Sequence, residues 1–471
     1  MKYLFKSMIR NFVRKPITNL VNLIGLSVSL ALVIILSVYC YSELTTDHFH
    51  KNGDRVYLFM GPNKNLYTPG ILKEHIEMSV PGVKSTVRMS STWDTPVFQV
   101  EDKEPITSDL LFVDEDFFKL FTYKVVGGNL ETALKEPLSV VITKTLSERL
   151  FGREGAIDKT MKLNNGKELT VKAVIEEPSA NSCISFSALT SIATRKIVQP
   201  EEGELTKWGT CNFHTFVLLK EGARPEETVK SISALFPKNT QKHSAETQLI
   251  PLKKIYFSHL SLYDDSNYLH CGDQKKVMIL LMVAALVLMI ALINFINISS
   301  SQWLEKIRQT GVMKVIGASH FAVLRHILGE SFLLFLVSLF LAILLVGTTS
   351  DFINAYTGVH FNLRLLYSPT FLLVSISGIM ILSALISLIP ALRISSSKAV
   401  DNLKRTVEGL PENSILRGIL VAVQFTIAIT LISFTLLIQK QVNYGSSNLG
   451  FNQGNIIGIK LTPELDKKRR Y

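Results

Sequence analysis

The sequence predicts an α-helical membrane protein: four spans forming one unit, a fifth span beyond them, and a mixed α/β domain inserted after the first helix. Two observations carry this. Asp, Glu, Lys and Arg are missing between Lys15 and Glu43, Lys276 and Glu305, Glu330 and Asp351, Arg364 and Arg393, and Arg417 and Lys440. Each run holds about 20 or more mostly apolar residues, enough to cross a hydrocarbon core about 30 Å thick. The basic residues then cluster in alternate connections. Lys2, Lys6, Arg10, Arg14 and Lys15 precede the first run; Lys306, Arg308, Lys314 and Arg325 lie between the second and third; Arg393, Lys398, Lys404, Arg405 and Arg417 lie between the fourth and fifth. Positive charge marks the cytosolic side. The N-terminus is therefore expected inside and residues 43–274 outside. The net charge of +11 is read as topology rather than nucleic-acid binding, because the clusters flank apolar spans and not aromatic stacking platforms.

Within residues 1–16, Phe5, Met8, Ile9 and Phe12 share a helical stripe while Lys2, Lys6, Arg10 and Arg14 recur four apart. That pattern predicts a cytosolic amphipathic helix lying on the inner leaflet, ended or kinked at Pro16. The first span, 17–42, is too long for a signal-peptide h-region, and Tyr39-Cys40-Tyr41 offers no small-residue cleavage site. It is expected to stay in the mature protein. Its Gly25-x-x-x-Ser29 pair is a helix-packing candidate, since small residues let helices approach closely.

Residues 43–274 read as a folded external domain of two lobes. Leu138–Thr143 and Leu169–Ile175 are predicted strands; Lys144–Phe151 and Glu226–Phe236 are predicted helices. Asn165-Gly166 signals a hairpin into the strand at 169. Of the four cysteines, Cys40 is in a span and Cys183, Cys211 and Cys271 are in this domain. One disulfide, for example Cys183–Cys211, and reduced thiols both remain open. His48 and His50 lack a third metal ligand and read as ordinary surface or boundary histidines.

The second span is 275–300, where Asn294 and Asn297 either hydrogen-bond across the bundle or reach the interface. A basic amphipathic segment, 301–325, joins it to the third span, 326–350. Glu330 opens that span, either complementing the helix dipole or acting as an intramembrane carboxylate with a basic partner. A short external loop (351–364), the fourth span (365–392), a cytosolic linker (393–417), a fifth span (418–439) and an external tail (440–471) complete the prediction. No phosphate-binding loop, H-E-x-x-H or G-x-S-x-G motif occurs. The chain is expected to be a non-catalytic subunit without a cofactor or metal of its own.

Several motifs resemble the MacB/FtsX-type ABC transporter permeases, in particular their Bacteroidetes-like branch. Asn22-Leu-Ile-Gly-Leu26 resembles the opening of that family's first helix, and Asp47-His-Phe-His-Lys-Asn-Gly-Asp-Arg-Val-Tyr57 the start of its periplasmic core. Asp116–Phe121, Pro137–Thr143 and Leu150-Phe-Gly152 are similar to later core signatures. Arg308-Gln-Thr-Gly-Val-Met-Lys-Val-Ile-Gly-Ala318 resembles the cytoplasmic pattern after the second helix, and Pro390-Ala-Leu-Arg393 with Ala399–Lys404 the exit from the fourth.

The resemblance implies an FtsX-like four-helix unit with a MacB-like periplasmic core, in the bacterial inner membrane. It also implies that ATP is bound by a separate cytosolic ABC ATPase, and that hydrolysis there is coupled to periplasmic movement for export or extrusion. Arg308, Gln309, Gly311, Lys314, Gly317 and Ala318 would make the ATPase contact. Gln309 and Thr310 stand where the family often has an acid, which removes one charge contact. A homodimer or second permease, and a periplasmic adaptor or outer-membrane protein, are further expected partners. The fifth span resembles the first helix of a second repeat most of which this sequence lacks. An FtsX-like role in signalling or scaffolding, regulating envelope enzymes or sensing peptides, is the alternative.

Overall fold

The structure is a computed structural model. It describes residues 16–92, 94–100, 103–152, 155–164, 166–179, 181–201, 203–237, 247–258, 260, 266–301, 303–357, 366–396 and 414–447. The predicted interfacial helix at 3–15, Asn165, most of the linker and the tail beyond 447 lie outside these residues. The chain forms two compact units, one of membrane-length helices and one spanning Ser42–Gln274.

The helical unit opens with α1 (Pro16–Leu44). Its buried residues, Asn19, Asn22, Leu26, Ser27, Leu30, Ala31, Ile34 and Val38, recur at three- and four-residue steps. Ile17, Leu20, Val21, Ile24, Val28 and Leu32 are exposed on the rest of its surface. A helix apolar all round suits a lipid-facing span that also packs on neighbours.

The Ser42–Gln274 unit is built on one 13-stranded sheet. Its first half runs β1 (Val56–Met60), β2 (Tyr67–Pro69), α2 (Leu72–Ser79), β3 (Val83–Ser91), β4 (Val97–Gln99), β5 (Ile106–Thr107) and β6 (Leu110–Val113). Then follow α3 (Phe117–Leu120), β7 (Val125–Gly128), β8 (Ser139–Thr143), α4 (Lys144–Phe151), β9 (Thr160–Leu163) and β10 (Glu168–Ile175). The remainder is β11 (Ala188–Ser191), α5 (Ile192–Val198), β12 (Cys211–Leu219), α6 (Pro225–Ser233), β13 (Gln248–Pro251) and α7 (Leu252–Ile255).

Strand order is β13-β1-β12-β3-β6-β11-β8-β10-β9-β4-β5, with β2 also on β12 and β7 on β10. Among the described strands only β8/β10 and β6/β11 pair in parallel. The predicted β8 and α4 form as read. Every residue of β8 is buried, and the Thr143 hydroxyl caps α4 by accepting from the Leu146 N–H at 3.4 Å. The β9–β10 hairpin forms as well, with Gly166 in the left-handed region at φ 77°.

Side-chain alternation gives the sheet two different faces. On one, a single core runs from Val56 and Leu58 of β1 across Val87, Leu111, Val141 and Leu189 to Ala173 and Ile175 of β10. On the other, Val217 and Leu219 pack with α2 and α6, while Phe213 joins Leu110, Phe112 and Val140 beneath α4. Between these two cores lies a buried polar seam. Arg88 forms a two-pronged pair with Asp114 (Nη2–Oδ1 2.9 Å, Nε–Oδ2 3.0 Å) and also reaches Glu74 at 3.1 Å. Arg195 pairs with Glu204 at 2.6 Å. Both guanidinium groups stack on Phe213, at 5.8 and 5.6 Å from its ring centre. The expected two lobes are thus one sheet whose second face is divided.

None of the four cysteines, all described, is in a disulfide. Cys183 is fully buried, and burial and then the neighbouring Asp47 carboxylate push its thiol up. Burial also raises the half-buried Cys211 thiol. Because thiolate is the reactive form, maleimide at neutral pH should label Cys211 well before Cys183. Peptide mass spectrometry of briefly labelled native protein checks this, and equal labelling would contradict the burial of Cys183.

The reading of both histidines as surface or boundary residues needs correcting for His50. His48 is exposed, but His50 is buried. Its Nδ1 accepts from the Thr122 N–H at 2.9 Å, and its Nε2 lies 3.7 Å from Asp47 Oδ1. Among the described residues no three metal-ligating side chains converge.

The helical unit resumes with α8 (Gln274–Ser301), α9 (Trp303–Val315), α10 (His320–Thr357), α11 (Pro369–Ser396) and α12 (Ser414–Ser447). Among the described residues five helices (α1, α8, α10, α11 and α12) are long and apolar enough to cross a membrane. Leu26, Leu30 and Ile34 of α1 share a core with Ala291 and Phe295 of α8, Phe335, Leu339 and Ala342 of α10, and Ile379 of α11. The Phe295 and Phe335 rings sit 4.9 Å apart. No described residue of α12 is buried.

The packing candidates Gly25 and Asn294 do meet. A Cβ on Gly25 would lie 3.5 Å from Asn294 Nδ2. Ser29 and Asn297 are half-buried. Gly25→Ala should therefore be tolerated, whereas Gly25→Leu overfills the contact and should cost about 1–3 kcal/mol. Thermal unfolding of the detergent-solubilised chain checks this; equal melting of the two variants would argue that the helices are not this close.

Glu330 does not open its helix. Ser319 caps α10 eleven residues earlier, its Oγ accepting from the Ala322 N–H at 3.3 Å. Glu330 is half-buried within the helix and too far from its first turn for the dipole reading, since that effect is confined to the terminal turn.

Candidate coupling site

The α9–α10 hairpin is built by local chemistry. At the end of α9 the chain needs a residue that accepts left-handed backbone, and Gly317 supplies it with φ 99°. The Ala318 N–H then bonds Met313 O at 2.9 Å and the Gly317 N–H bonds Lys314 O at 3.0 Å. This six-to-one and five-to-two pair is the Schellman arrangement that satisfies a helix's last carbonyls. Two residues later Ser319 caps α10, so the chain reverses within a very short span.

The inner face of the hairpin holds a small core of its own. Ile307 of α9 packs with Val323 and Ile327 of α10, with Ala318 beside them. Thr310 is buried on the same side, its hydroxyl donating to Ile307 O at 2.9 Å. Gly311 is buried as well.

The outer face is apolar too, yet uncovered. Val312, Val315, Ile316 and Phe321 are 49, 65, 81 and 70% exposed. All four lie within a few residues of the Gly317 turn, and exposed apolar residues grouped outside a lipid-facing span are the kind of surface that marks an interaction site. Partial burial lowers the Lys314 ammonium's pKa.

The six residues selected from the sequence therefore occupy different places. Gly317 is exposed at the tip, and Gln309, Lys314 and Ala318 are half-buried. Gly311 is buried, and the Arg308 side chain lies outside what is described. The four exposed apolar residues were missed. Val312, Val315 and Ile316 recur at helical spacing, but so do Ile307 and Gly311, and only tertiary packing separates the covered stripe from the open one.

Two family models match the chain: the MacB-like periplasmic core domain over residues 20–235 and the FtsX-like permease C-terminal domain over residues 281–399. The chain is also similar to solved domains. One, from a permease protein of Porphyromonas gingivalis, is 18% identical, with a TM-score of 0.37 over 49% of this chain and 99% of that one. The periplasmic region of MacB from Actinobacillus actinomycetemcomitans is 14% identical, with a TM-score of 0.34 over 46% and 95%. The extracellular domain of the ABC-type transporter YknZ from Gram-positive bacteria is 16% identical, with a TM-score of 0.31 over 41% and 99%. No curated protein matches the chain. Members of the matched families are membrane components that work with ATPase partners. With both family models in chain order, and the sheet domain and helices they describe in place, this chain belongs to the MacB/FtsX-type ABC transporter permeases.

Proposed function

We propose that the chain couples ATP hydrolysis by a separate cytosolic ATPase to movement of its 43–274 domain, for export or extrusion of an envelope substrate. In this reading it sits in a bacterial inner membrane with its N-terminus in the cytosol and the sheet domain in the periplasm. The alternation of basic loops supports that orientation. The observation carrying the proposal is the uncovered apolar tip of the 301–325 connection, on the side that the positive charges assign to the cytosol. Arg308, Gln309, Gly311, Lys314, Gly317 and Ala318 lie in the same hairpin and would frame the contact, Gly311 from a buried position.

The test is ATP hydrolysis by the cognate ATPase in membranes carrying wild-type or Gly317→Glu chain. The variant forces a side chain into the left-handed turn and adds a charge to the patch. Loss of at least about tenfold in stimulation is expected, equivalent to about 1.4 kcal/mol of coupling. Equal stimulation overturns the coupling role. Recovery from membranes of a cytosolic partner without a phosphate-binding loop would instead favour signalling or scaffolding.

A further inference from the structure

The sheet domain's first and last segments meet at a buried junction centred on Asp47. Beyond α1 the chain turns, and Asp47 adopts φ 61°, a left-handed conformation that aspartate tolerates better than most side chains. Its carboxylate is fully buried. Oδ1 accepts from Ser182 Oγ at 2.9 Å and from the Cys183 N–H at 3.1 Å, and Oδ2 is 3.2 Å from the same N–H. The Asp47 N–H donates to Asn181 O at 2.9 Å, and Asn181 Nδ2 donates to Thr45 O at 3.4 Å.

The segment gripped in this way is itself paired on its other side. The His270 N–H donates to Cys183 O at 2.7 Å, the Ser185 N–H donates to Tyr268 O at 2.9 Å, and Ile184 bridges Leu269. Residue 270 stands four positions before α8 begins. A second tie spans the same two ends. Tyr256 Oη donates to Glu43 Oε2 at 2.7 Å, while Tyr256 O accepts from the Gly272 N–H at 2.8 Å.

A buried carboxylate is costly unless donors surround it, and an apolar residue fills a core at less risk. What the carboxylate adds is a fixed position for 181–183, and through it for 268–271. We infer that Asp47 is a positioning residue that makes both ends of the domain move as one, so that displacement arriving at Leu44 or at Gln274 enters the same core. The inference rests on the coupling function proposed above.

The test uses the full chain with its cognate ATPase in proteoliposomes, comparing amide exchange in nucleotide-free and ATP–vanadate-trapped complexes. In wild type, exchange across 181–185 and 268–272 should differ about tenfold or more between the two states. Asp47→Ala should lose that difference while ATP turnover continues and β8, β10 and β11 stay as protected as in wild type. Asp47→Asn keeps an oxygen acceptor and suits the left-handed backbone, so it should retain the response. A full nucleotide response in Asp47→Ala overturns the inference. If Asp47→Ala also loses protection in β8–β11, Ser182→Ala decides, since it removes one donor only. A blunted response over a protected core supports the positioning role, and a full response overturns it. No response in wild type while the ATPase turns over overturns the coupling function itself, and the two failures are told apart by that control.

Discussion

Ile316→Glu should reduce stimulation of the cognate ATPase about 10- to 100-fold, a loss of about 1.4–2.8 kcal/mol, in the range of a binding hot spot. Ile316 is the most exposed of the four apolar residues at the hairpin tip. It is absent from the Ile307–Val323–Ile327 core. Exposed substitutions away from packing usually change stability by less than about 0.5 kcal/mol. The variant should therefore reach the membrane in normal amount and melt like wild type. Co-purification with the ATPase should fall in parallel with stimulation. Unchanged co-purification and stimulation would mean that the patch faces lipid or another surface.

The second large effect is expected at the polar seam of the sheet domain. Arg88→Met should destabilise that domain by about 3–5 kcal/mol, because it leaves the Asp114 carboxylate buried without its cation. The change also removes hydrogen bonds to Glu74 and to Gly70 O. Methionine replaces the bulk, so the loss reports mainly the unpaired charge. Adding Asp114→Leu should recover most of it, since exchanging both partners for apolar groups is often neutral. Thermal unfolding of the solubilised chain, followed through domain fluorescence, measures both. A single variant as stable as wild type, or a double variant no better than the single, would show that the pair is not buried as described.

The membrane-length helices were legible because a charge-free run is a local property. β8 and α4 were legible for a similar reason: five consecutive buried residues end on a threonine that caps the helix. The strand order was not. β12 pairs with β1, β2 and β3, partners over 120 residues distant in sequence, and no local pattern encodes such a pairing. His50 was misread because the groups packed on it, the Phe121 and Tyr123 rings and the Thr122 N–H, are also remote in sequence. α10 begins at His320, inside the basic 301–325 segment, because its Val323 and Ile327 pack on Ile307 of α9. At the hairpin, charge and glycine drew attention in the sequence, whereas the exposed apolar tip emerged from packing.

The four-residue reversal between Val315 and His320, turning at Gly317, leaves little slack between the helices it joins. One extra residue after Ala318 would rotate α10 by about 100° about its own axis. Val323 and Ile327 would swing away from Ile307, and the outer stripe would point elsewhere. Length at this corner is thus held as tightly as composition, and deletions or insertions there should be far more damaging than most point changes.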